Sequence, residues 1–373
     1  MVLYLLIIIV FLYSVLIISF YIGWKNLPQE SDEFFESPFF VSVVIAARNE
    51  EKNIGLLLED LKNQKFNSSN FEIIVINDHS TDNTIDILDK YCSGQIKVYH
   101  LPHKLFGKKA ALEYGINHSE AELIVTVDAD CRLCVNWLSS IVSCYMQRKP
   151  KLIVGPVLYH DSESIFGKVQ SLEFSSLIAS GAGAIGIGQP IMCNGANLAF
   201  PKKVYHAVKE EINRDVASGD DIFLLLAIKK RWKNDVVFLK SRNAVVYTFP
   251  ETDFKSFLIQ RKRWASKSRY YNDFSIYLVA GIVGACNFAL FLLCFIGLLN
   301  INYLFIYIIL LLFKSLIDFI LLNSFLKYFG KARLMQYFWM AQFLYPFYMV
   351  FMIFYANLGS FRWKNRIYKQ ISI

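Results

Sequence analysis

Aspartate pairs stand next to apolar segments at two distant points of the chain. Asp128 and Asp130 follow the apolar residues 123–127, and Asp220 and Asp221 precede another apolar run. Alternate residues of an extended backbone share a face, so Asp128 and Asp130 would hold two carboxylates side by side. Such hard oxygen ligands suit Mg²⁺ or Mn²⁺, which typically bind one or two carboxylates together with diphosphate oxygens. A solvated turn is the alternative interpretation, because aspartate is common in turns.

The second aspartate pair and a further polar segment could supply a base and another ligand. A carboxylate at a helix N-terminus normally caps the helix, which contributes about 0.3–1 kcal/mol. Two aspartates in succession after Gly219 suggest that one points elsewhere, where it could act as a general base. Asp78 follows a different apolar segment, in the sequence Asn77-Asp78-His79-Ser80. The alternative for this segment is a helix cap, in which Ser80 or Thr81 caps the helix that follows.

These polar segments need a scaffold, and the chain predicts one of alternating strands and helices. Apolar, β-rich segments at residues 39–47, 71–76, 96–99 and 123–127 predict strands. Apolar residues at helical spacing follow each of the first three predicted strands, and those after the third lie at residues 108–116. This alternation predicts an α/β fold with a mostly parallel sheet and helices on both faces. Ligands bind such sheets outside the carboxyl ends of the strands, which is where the acidic segments lie.

Other catalytic signatures are missing from the sequence. No GxGxxG follows the first predicted strand, Gly107-Lys108 lacks the rest of a Walker loop, and GxSxG is absent. Cys131 and Cys134 form a lone CxxC without the second ligand pair of a zinc site, so reduced cysteines are expected. The basic cluster before the second apolar segment has no extended basic surface around it, which argues against nucleic acid as a partner.

The composition indicates a membrane protein with one sizeable water-facing domain. The chain has 373 residues, a formal net charge of +8, 55% hydrophobic residues, 19% charged residues and a mean hydropathy of +0.35. An average globular chain has about 25% charged residues. Residues 1–24, 274–313 and 335–361 carry no charge, whereas residues 25–273 have an ordinary polar composition. This distribution excludes a disordered chain, a small disulfide-rich secreted domain and a purely soluble protein.

Four segments are candidates for membrane spans. Residues 2–22 predict an uncleaved anchor rather than a signal peptide, because no Lys or Arg precedes them and no small-residue cleavage site follows. Residues 275–299 and 301–326 predict two further spans joined by a tight turn. Residues 337–358 form a fourth candidate, although a proline interrupts it.

The Lys and Arg residues beside these segments predict which side of the membrane each flank faces. Lys and Arg residues are concentrated at those ends of the first three segments that adjoin the water-facing domain. This distribution predicts a multi-pass protein of the cell (inner) membrane whose domain is cytoplasmic. The basic tail does not fit a fourth full crossing, so either the segment around Pro346 is re-entrant or interfacial, or the rule fails. Lys314 and Asp318 lie inside the third span; mutual pairing explains them, or a polar lining of a substrate path.

In their order along the chain, the polar motifs resemble those of glycosyltransferase family 2. The resemblance covers about residues 39–266 and is carried by residues 43–50, Asn77-Asp78, Gly107-Lys108, Asp128 and Asp130, residues 194–197, Asp220-Asp221, and Gln260-x-x-Arg263-Trp264. It implies the GT-A fold, in which a Rossmann-like nucleotide-binding half joins an acceptor-binding half. It also implies inverting transfer of a sugar from a nucleotide-diphosphate donor.

The resemblance implies a role for each matching residue. On the donor side, Ala46, Asn49 and Glu50 would border the nucleoside, Asp78 would bind the base, Lys108 would contact the donor, and Asp128 would approach ribose and diphosphate. Asp130 would ligate Mg²⁺ or Mn²⁺, and Asp221 would be the catalytic base. The diphosphate would be held and the acceptor site lined by Asp220, Gln260, Arg263 and Trp264. An interfacial anchor is the alternative for the last motif. Asn77 replaces the family's usual Asp, and Asp220 stands where Glu is commoner.

The expected division of the chain follows from the spans and the resemblance together. It is an N-terminal anchor at residues 1–24, a cytoplasmic catalytic domain at 25–273 with halves at about 39–130 and 131–273, a membrane region at 274–361 with two or three spans, and a basic tail at 362–373. Substrate specificity is expected to come from residues 162–189, for which no pattern predicts an element.

A membrane lipid or lipid-linked glycan is the expected acceptor, because the predicted spans flank the catalytic domain. A processive polysaccharide synthase is the alternative, although four candidate spans are few for a polymer channel. A nucleotidyltransferase would release diphosphate and leave Asp221 without a role, and a non-catalytic membrane protein would not need carboxylates at strand ends. The expected partners are a nucleotide sugar, the lipid or glycan acceptor and the lipid bilayer, with no nucleic acid.

Overall fold

Two sheets form the centre of the part of the chain that the computed structural model describes, namely residues 2–30, 38–92, 94–212, 219–356, 361–363 and 366–368. Their strands are β1 (Val41–Ala47), β2 (Phe71–Asn77), β3 (Ile96–His100), β4 (Leu123–Thr126), β5 (Arg132–Leu133), β6 (Leu152–Val154), β7 (Val157–Tyr159), β8 (Leu198–Pro201), β9 (Val236–Phe238) and β10 (Val246–Thr248). The larger sheet has the order β3-β2-β1-β4-β8-β6-β9, and the smaller one has the order β5-β10-β7.

The larger sheet is parallel on its N-terminal side. β1 pairs in parallel with β2 and β4, and β2 pairs in parallel with β3. β8 runs antiparallel between β4 and β6, and β9 is parallel to β6. The carboxyl ends of β1, β2 and β4 therefore meet at one edge of the sheet.

Helices cover both faces of this sheet and continue beyond the domain. In chain order they are α1 (Val2–Asn26), α2 (Ile54–Lys62), α3 (Thr84–Tyr91), α4 (Lys108–His118), α5 (Trp137–Arg148), α6 (Ile165–Gly186), α7 (Lys202–Val208), α8 (Asp220–Trp232), α9 (Phe254–Ser266), α10 (Phe274–Leu299), α11 (Ile301–Tyr328) and α12 (Phe338–Tyr355). Short 3₁₀ turns lie at Ser68–Asn70, Lys209–Glu211, Lys233–Asp235, Ser268–Tyr270 and Ala332–Tyr337.

The central strands send alternate side chains into two hydrophobic cores. In β1, Val43 and Ile45 contribute to a core with α2 and α5, whereas Val44 contributes to a core with α4 and α8. Strands buried on both faces are apolar at nearly every position, so they stand out in the sequence as continuous β-rich apolar segments. The predicted α/β fold, with a mostly parallel sheet and helices on both faces, is confirmed.

In the described part of the chain, four helical segments are long and apolar enough to cross a membrane: Tyr4–Asn26, Phe274–Leu299, Ile301–Tyr328 and Ala332–Tyr355. The turn at Asn300 separates the second and third of them, and the Asn300 side chain accepts a hydrogen bond from Asn302 N at 3.0 Å. Inside α11, Lys314 Nζ lies 2.8 Å from Asp318 Oδ2. The predicted pairing of these two residues is therefore present.

Helix α1 contacts α6 at backbone distance. A Cβ atom on Gly183 would lie 2.3 Å from Phe20 O, and one on Gly186 would lie 2.2 Å from Gly23 O. Small residues allow such close helix crossings, and any side chain at these positions would force the helices apart. Residues 162–189, for which no pattern predicts an element, thus contain a helix whose glycines serve close packing.

Both ends of α12 lie against the central domain. Before its start, the ring of Tyr337 has Lys168 Nζ of α6 at 6.0 Å from its centroid, and at its end the ring of Tyr355 has Lys262 Nζ of α9 at 5.1 Å. Between these points, next to Pro346, Phe347 packs on Phe291 of α10 with ring centroids 5.6 Å apart. Whether this segment is re-entrant, interfacial or a full crossing stays a prediction.

Little of the predicted basic tail at residues 362–373 belongs to the described part of the chain. Within it, β11 (Phe361–Trp363) pairs antiparallel with β12 (Arg366–Tyr368). Lys364, Asn365 and residues 369–373 lie outside the described residues, as do residues 31–37 and 213–218. The division of the chain into the segments predicted from the sequence stays a prediction.

Candidate active site

Polar segments leave β1, β2 and β4 at the shared edge of the sheet. Asp78, one residue beyond β2, donates its backbone N–H to Ala47 O at 2.8 Å, which ties the end of β2 to the end of β1. The Asp78 carboxylate accepts the backbone N–H of Gly107 at 3.1 Å, directly before α4 begins at Lys108. Asp78 is buried, so this hydrogen bond holds the start of α4 against the strand ends.

The loop after β1 is fastened to the loop after β2. Asn49, with a positive φ of 52°, accepts the backbone N–H of Thr81 at 2.8 Å, and Ser80 Oγ accepts Asn49 N at 3.1 Å. Glu50 N donates to Thr84 Oγ1 at 2.7 Å. The helix-cap alternative fails for Ser80, because its hydroxyl accepts the backbone N–H of Asn49 in the neighbouring loop. The predicted donor contacts of Asn49, Glu50 and Ala46 stay predictions.

A cavity of about 800 Å³ opens beside these strand ends. Residues from well-separated parts of the sequence line it together, and eight of them were predicted site residues: Lys108, Asp128, Asp130, Asp220, Asp221, Gln260, Arg263 and Trp264. Ala46, Asn49, Glu50 and Asp78 are outside this lining, although Asp78 is one hydrogen bond away through Gly107. The acidic residues thus share a cavity with the Gln-x-x-Arg-Trp motif.

Lys108 stands among the carboxylates at the cavity wall. Its Nζ lies 2.5 Å from Asp128 Oδ1 and 3.6 Å from Asp220 Oδ2. Burial by itself would lower the pKa of Lys108, but the charges of Asp128 and Asp220 outweigh burial and raise that pKa above its usual value. Lys108 is therefore a fixed cation that neutralises part of the acidic cluster.

Asp221 is held at the start of α8 by charge and by backbone. Its Oδ1 lies 3.3 Å from Lys267 Nζ and accepts Ile222 N at 2.8 Å, while Oδ2 accepts Gly195 N at 3.3 Å. Burial would raise the pKa of Asp221, yet the ammonium groups of Lys267 and Lys108 and the Ile222 N–H lower it below the usual value. Asp221 is thus a carboxylate at neutral pH and faces the cavity.

The residue at the N-cap position of α8 is Gly219, which has a φ of 92° and makes no side-chain cap bond. Asp220 and Asp221 both lie in the first turn, where negative charge is favoured by the helix dipole. The alternative that one of them is the ordinary N-cap residue is therefore wrong. Asp220 and Asp221 both line the cavity, where Asp220 lies near Lys108 and Asp221 is paired with Lys267.

The Gln-x-x-Arg-Trp motif lies on α9 and is fixed by a buried arginine between its members. Arg261 donates through Nε to Glu173 Oε1 of α6 at 3.2 Å, and its guanidinium carbon stacks 4.3 Å from the Trp264 ring centroid. Gln260 Nε2 donates to Glu251 Oε1 at 2.7 Å. Burial would lower the pKa of Arg261, but Glu173 outweighs it and raises that pKa. The motif therefore presents Arg263 and Trp264 to the cavity from a rigid base.

Three residues of this site were not predicted from the sequence: Lys267, Arg261 and Glu173. Lys267 lies four residues after Arg263, a spacing that places both on one face of a continuing helical turn, so this spacing could have drawn attention to it. Glu173 carries no such signal, because its contact with Arg261 depends on how α6 packs against α9.

A divalent cation would have to be held by few protein ligands. The described residues contain no group of three or more His, Cys, Asp or Glu side chains placed to hold a metal. Mg²⁺ commonly binds one or two carboxylates and takes its remaining ligands from substrate phosphates and water. Asp130 lines the cavity two residues after Asp128, so the carboxylates present fit this mode of binding.

Comparisons with known proteins agree with the fold. Residues 42–206 match the family model described as Glycosyl transferase family 2. A dolichyl-phosphate beta-glucosyltransferase of Trichomonas vaginalis is 33% identical over 125 residues, covering 30% of this chain and 38% of the relative. A beta-monoglucosyldiacylglycerol synthase of Nostoc sp. is 29% identical over 140 residues, covering 36% of this chain and 30% of the relative. The chain thus spans about a third of the length of these curated relatives.

A solved structure shares the fold over nearly the whole chain. The mannosyltransferase from Pyrobaculum calidifontis, in complex with GDP-Man and Mn²⁺, superposes with a TM-score of 0.57 at 13% identity, covering 93% of this chain and 99% of that one. At this identity the likeness shows the fold alone. Together with the sheet order and the family match, it defines a GT-A domain of the glycosyltransferase class. Over residues 42–206 the chain is similar to glycosyltransferase family 2.

Proposed function

We propose that the protein transfers a sugar, with inversion, from a nucleotide-diphosphate sugar to a hydroxyl of a membrane lipid or lipid-linked glycan. The observation that carries this proposal is the continuity of one cavity. Asp221 and Lys108 line it in the domain, and Val279 of α10 and Leu322 of α11 line it among the apolar helices. An acceptor anchored in the bilayer could therefore place a hydroxyl beside Asp221.

The relatives support a lipid-linked acceptor by their names, which are those of enzymes acting on dolichyl phosphate and forming a glucosyldiacylglycerol. The donor is supported by the carboxylates and lysines at the strand ends, where α/β folds bind ligands. In this arrangement Asp78, Ala46, Asn49 and Glu50 lie on the nucleoside side. Lys108, Asp128, Asp220, Gln260 and Arg263 lie on the diphosphate side.

Asp221 acts as the general base in the proposed reaction. Its carboxylate accepts the proton of the acceptor hydroxyl while that oxygen forms a bond to the anomeric carbon. The bond from the anomeric carbon to the diphosphate oxygen breaks, and the nucleoside diphosphate leaves with the bonding electrons. Lys108, Lys267 and Arg263 line the same cavity and would stabilise the charge that develops on the leaving group.

The lysines around Asp221 also make the basicity of this carboxylate depend on whether the donor is bound. In the described structure Lys267 and Lys108 lower the proton affinity of Asp221. A bound diphosphate would compete for both ammonium groups, so Asp221 would become a stronger base once the donor is present. Asp130 would hold Mg²⁺ or Mn²⁺, which when bound would supply additional positive charge to the diphosphate.

The basic flanks of the apolar helices support a domain on the cytoplasmic side of a membrane that the protein crosses more than once. The experiment that tests the proposal combines the purified full chain with a panel of nucleotide sugars, Mn²⁺ or Mg²⁺, and a membrane lipid extract. Mass spectrometry should find one lipid species heavier by one sugar residue. A ladder of many sugar additions would instead indicate a processive synthase, and release of diphosphate would indicate a nucleotidyltransferase.

A further inference from the structure

The part of the cavity between the apolar helices is lined mainly by hydrocarbon. Beyond Trp264 its walls include Phe20 of α1, Val279 of α10, Leu322 of α11 and Met349 of α12. Pockets of this kind bury most of a ligand's apolar surface, and a few polar groups fix its orientation. A hydrocarbon chain attached to the acceptor hydroxyl would fill such a space.

Within this apolar part, the cavity wall contains one polar cluster. Asp318 of α11, Gln342 of α12 and Tyr13 of α1 line the cavity, and the fully buried Lys314 lies behind them. Lys314 Nζ donates to Asp318 Oδ2 at 2.8 Å and to Gln342 Oε1 at 2.7 Å. Tyr13 Oη donates to Asp318 Oδ1 at 2.7 Å. Three helices thus converge on one ion pair.

The cluster lies well inside the apolar layer. Asp318 precedes Tyr328 by ten residues of α11, which corresponds to about 15 Å of helix rise. Tyr328 still contacts the domain, because its hydroxyl donates to Lys240 O at 2.9 Å. The cluster therefore lies about 15 Å along α11 from this contact with the domain.

Within this cluster, Asp318 offers the cavity a hydrogen-bond acceptor and Gln342 offers it a donor. The Asp318 side chain is 13% exposed and its carboxylate oxygens have lone pairs beyond those used by Lys314 and Tyr13. Within the described residues nothing accepts a hydrogen bond from Gln342 Nε2. Unpaired polar groups in a hydrocarbon environment are costly. A hydroxyl can donate to a carboxylate and accept from an amide, so it matches both atoms.

We propose that Asp318 and Gln342 form a binding site for a hydroxyl group carried within the hydrocarbon chain of the acceptor lipid. This inference rests on the proposed function for the identity of the ligand as acceptor. The proposed acceptor is a lipid with two hydroxyl groups. One is the reacting hydroxyl beside Asp221, and the second lies near the middle of the hydrocarbon chain. Lipids without the second hydroxyl would leave the Gln342 amide without a partner.

The test uses the purified full chain and two probes of equal chain length, a long-chain primary alcohol and the diol with a second hydroxyl at mid-chain. Binding of each probe is measured by native mass spectrometry of the protein released from detergent. The wild-type protein should bind the diol about tenfold more tightly, as expected for hydrogen bonds that involve a charged group. Equal binding of the two probes by the wild-type protein would overturn the proposal.

Two variants separate the polar cluster from the rest of the cavity. Gln342→Met keeps the volume and the Lys314–Asp318 pair but removes the amide, so the preference for the diol should fall by about two- to fourfold, because the hydrogen bond to Asp318 remains, while binding of the alcohol stays unchanged. The matched control is Asn287→Leu, which removes a buried amide of α10 that does not line the cavity and donates to Val283 O. It should keep the preference.

Sugar transfer to the same probes is measured in parallel. If the diol binds more tightly but neither the probes nor any lipid of the membrane extract receives a sugar, the proposed function fails and the hydroxyl site stands. If both probes bind and react equally, the hydroxyl site is wrong and the proposed function stands. A Gln342→Met variant that keeps the full preference also contradicts the site.

Discussion

Lys267 Nζ lies 3.3 Å from Asp221 Oδ1, and this ion pair joins the residue after α9 to the first turn of α8. Both side chains are largely buried, so the pair is poorly screened by solvent. Asp221 therefore depends on α9 for its charge state, and α9 is the helix that carries the Gln-x-x-Arg-Trp motif. The two halves of the candidate site are coupled through a residue that the motif does not include.

Replacing Lys267 by Met should shift the acid limb of the pH profile of kcat/KM. Lys267 lowers the pKa of Asp221, so its removal raises that pKa and moves the acid limb to higher pH. Transfer rates measured across the acid range at fixed Mn²⁺ test this. Lys267→Arg keeps the charge and should keep the wild-type limb. An unchanged limb in Lys267→Met would mean that Asp221 does not set it.

Asp221→Asn should abolish transfer without abolishing donor binding. The amide cannot accept the acceptor proton, so the rate should fall by about 10²- to 10⁴-fold, the range typical of a lost general base. Calorimetry with the nucleotide sugar should give a Kd within about twofold of wild type, because the shape of the site is kept. The matched control is Asp86→Asn, an exposed position on α3. Normal turnover by Asp221→Asn would contradict the assignment of the base.

Asp130→Ala should weaken the part of donor binding that depends on the divalent cation. In the wild-type protein Mn²⁺ should tighten binding of the nucleoside diphosphate, and the variant should lose about tenfold of this gain because a hard oxygen ligand is removed. Calorimetric titrations with Mn²⁺ and with a chelator measure the difference. If Mn²⁺ tightens binding equally in both proteins, the cation is held elsewhere.

Breaking the buried pair of Arg261 and Glu173 should destabilise the protein. Arg261→Met leaves Glu173 without its guanidinium and should cost about 3–5 kcal/mol of unfolding free energy, as for other buried pairs that lose one partner. The double variant Arg261→Met/Glu173→Gln should recover part of this loss, because no uncompensated charge remains. Denaturant titrations in detergent check both values. Equal loss in single and double variants would mean that the guanidinium acts through packing on Trp264.

The tail after α12 should lie on the same side of the membrane as the domain. Both ends of α12 contact domain lysines, Lys168 near the start and Lys262 at the end, so the helix need not cross. A single cysteine introduced near the C-terminus of a cysteine-free variant should react with a membrane-impermeant maleimide only where a cysteine at exposed Asp86 also reacts. Labelling from opposite sides would indicate a full fourth crossing.

The fold could be predicted because its signals are local. Strands such as β2 are apolar at nearly every position, and acidic residues at their ends locate the ligand edge. Much of the site follows from the same logic, since Asp130 and Asp221 each adjoin a recognisable element. The contacts of Lys267 and Glu173 could not be predicted, because they arise where α6, α8 and α9 pack together. The fit of α6 on α1 depends on glycines whose purpose only the crossing reveals.

The crossing of α1 and α6 has a consequence for the enzyme as a whole. Gly23 and Gly183 let the first helix lie directly on the helix that also carries Glu173, and Phe20 of the first helix lines the cavity. The N-terminal helix is therefore not a removable tether. A truncated fragment without this helix would lose one wall of the cavity, and the glycines of α6 would become exposed to solvent.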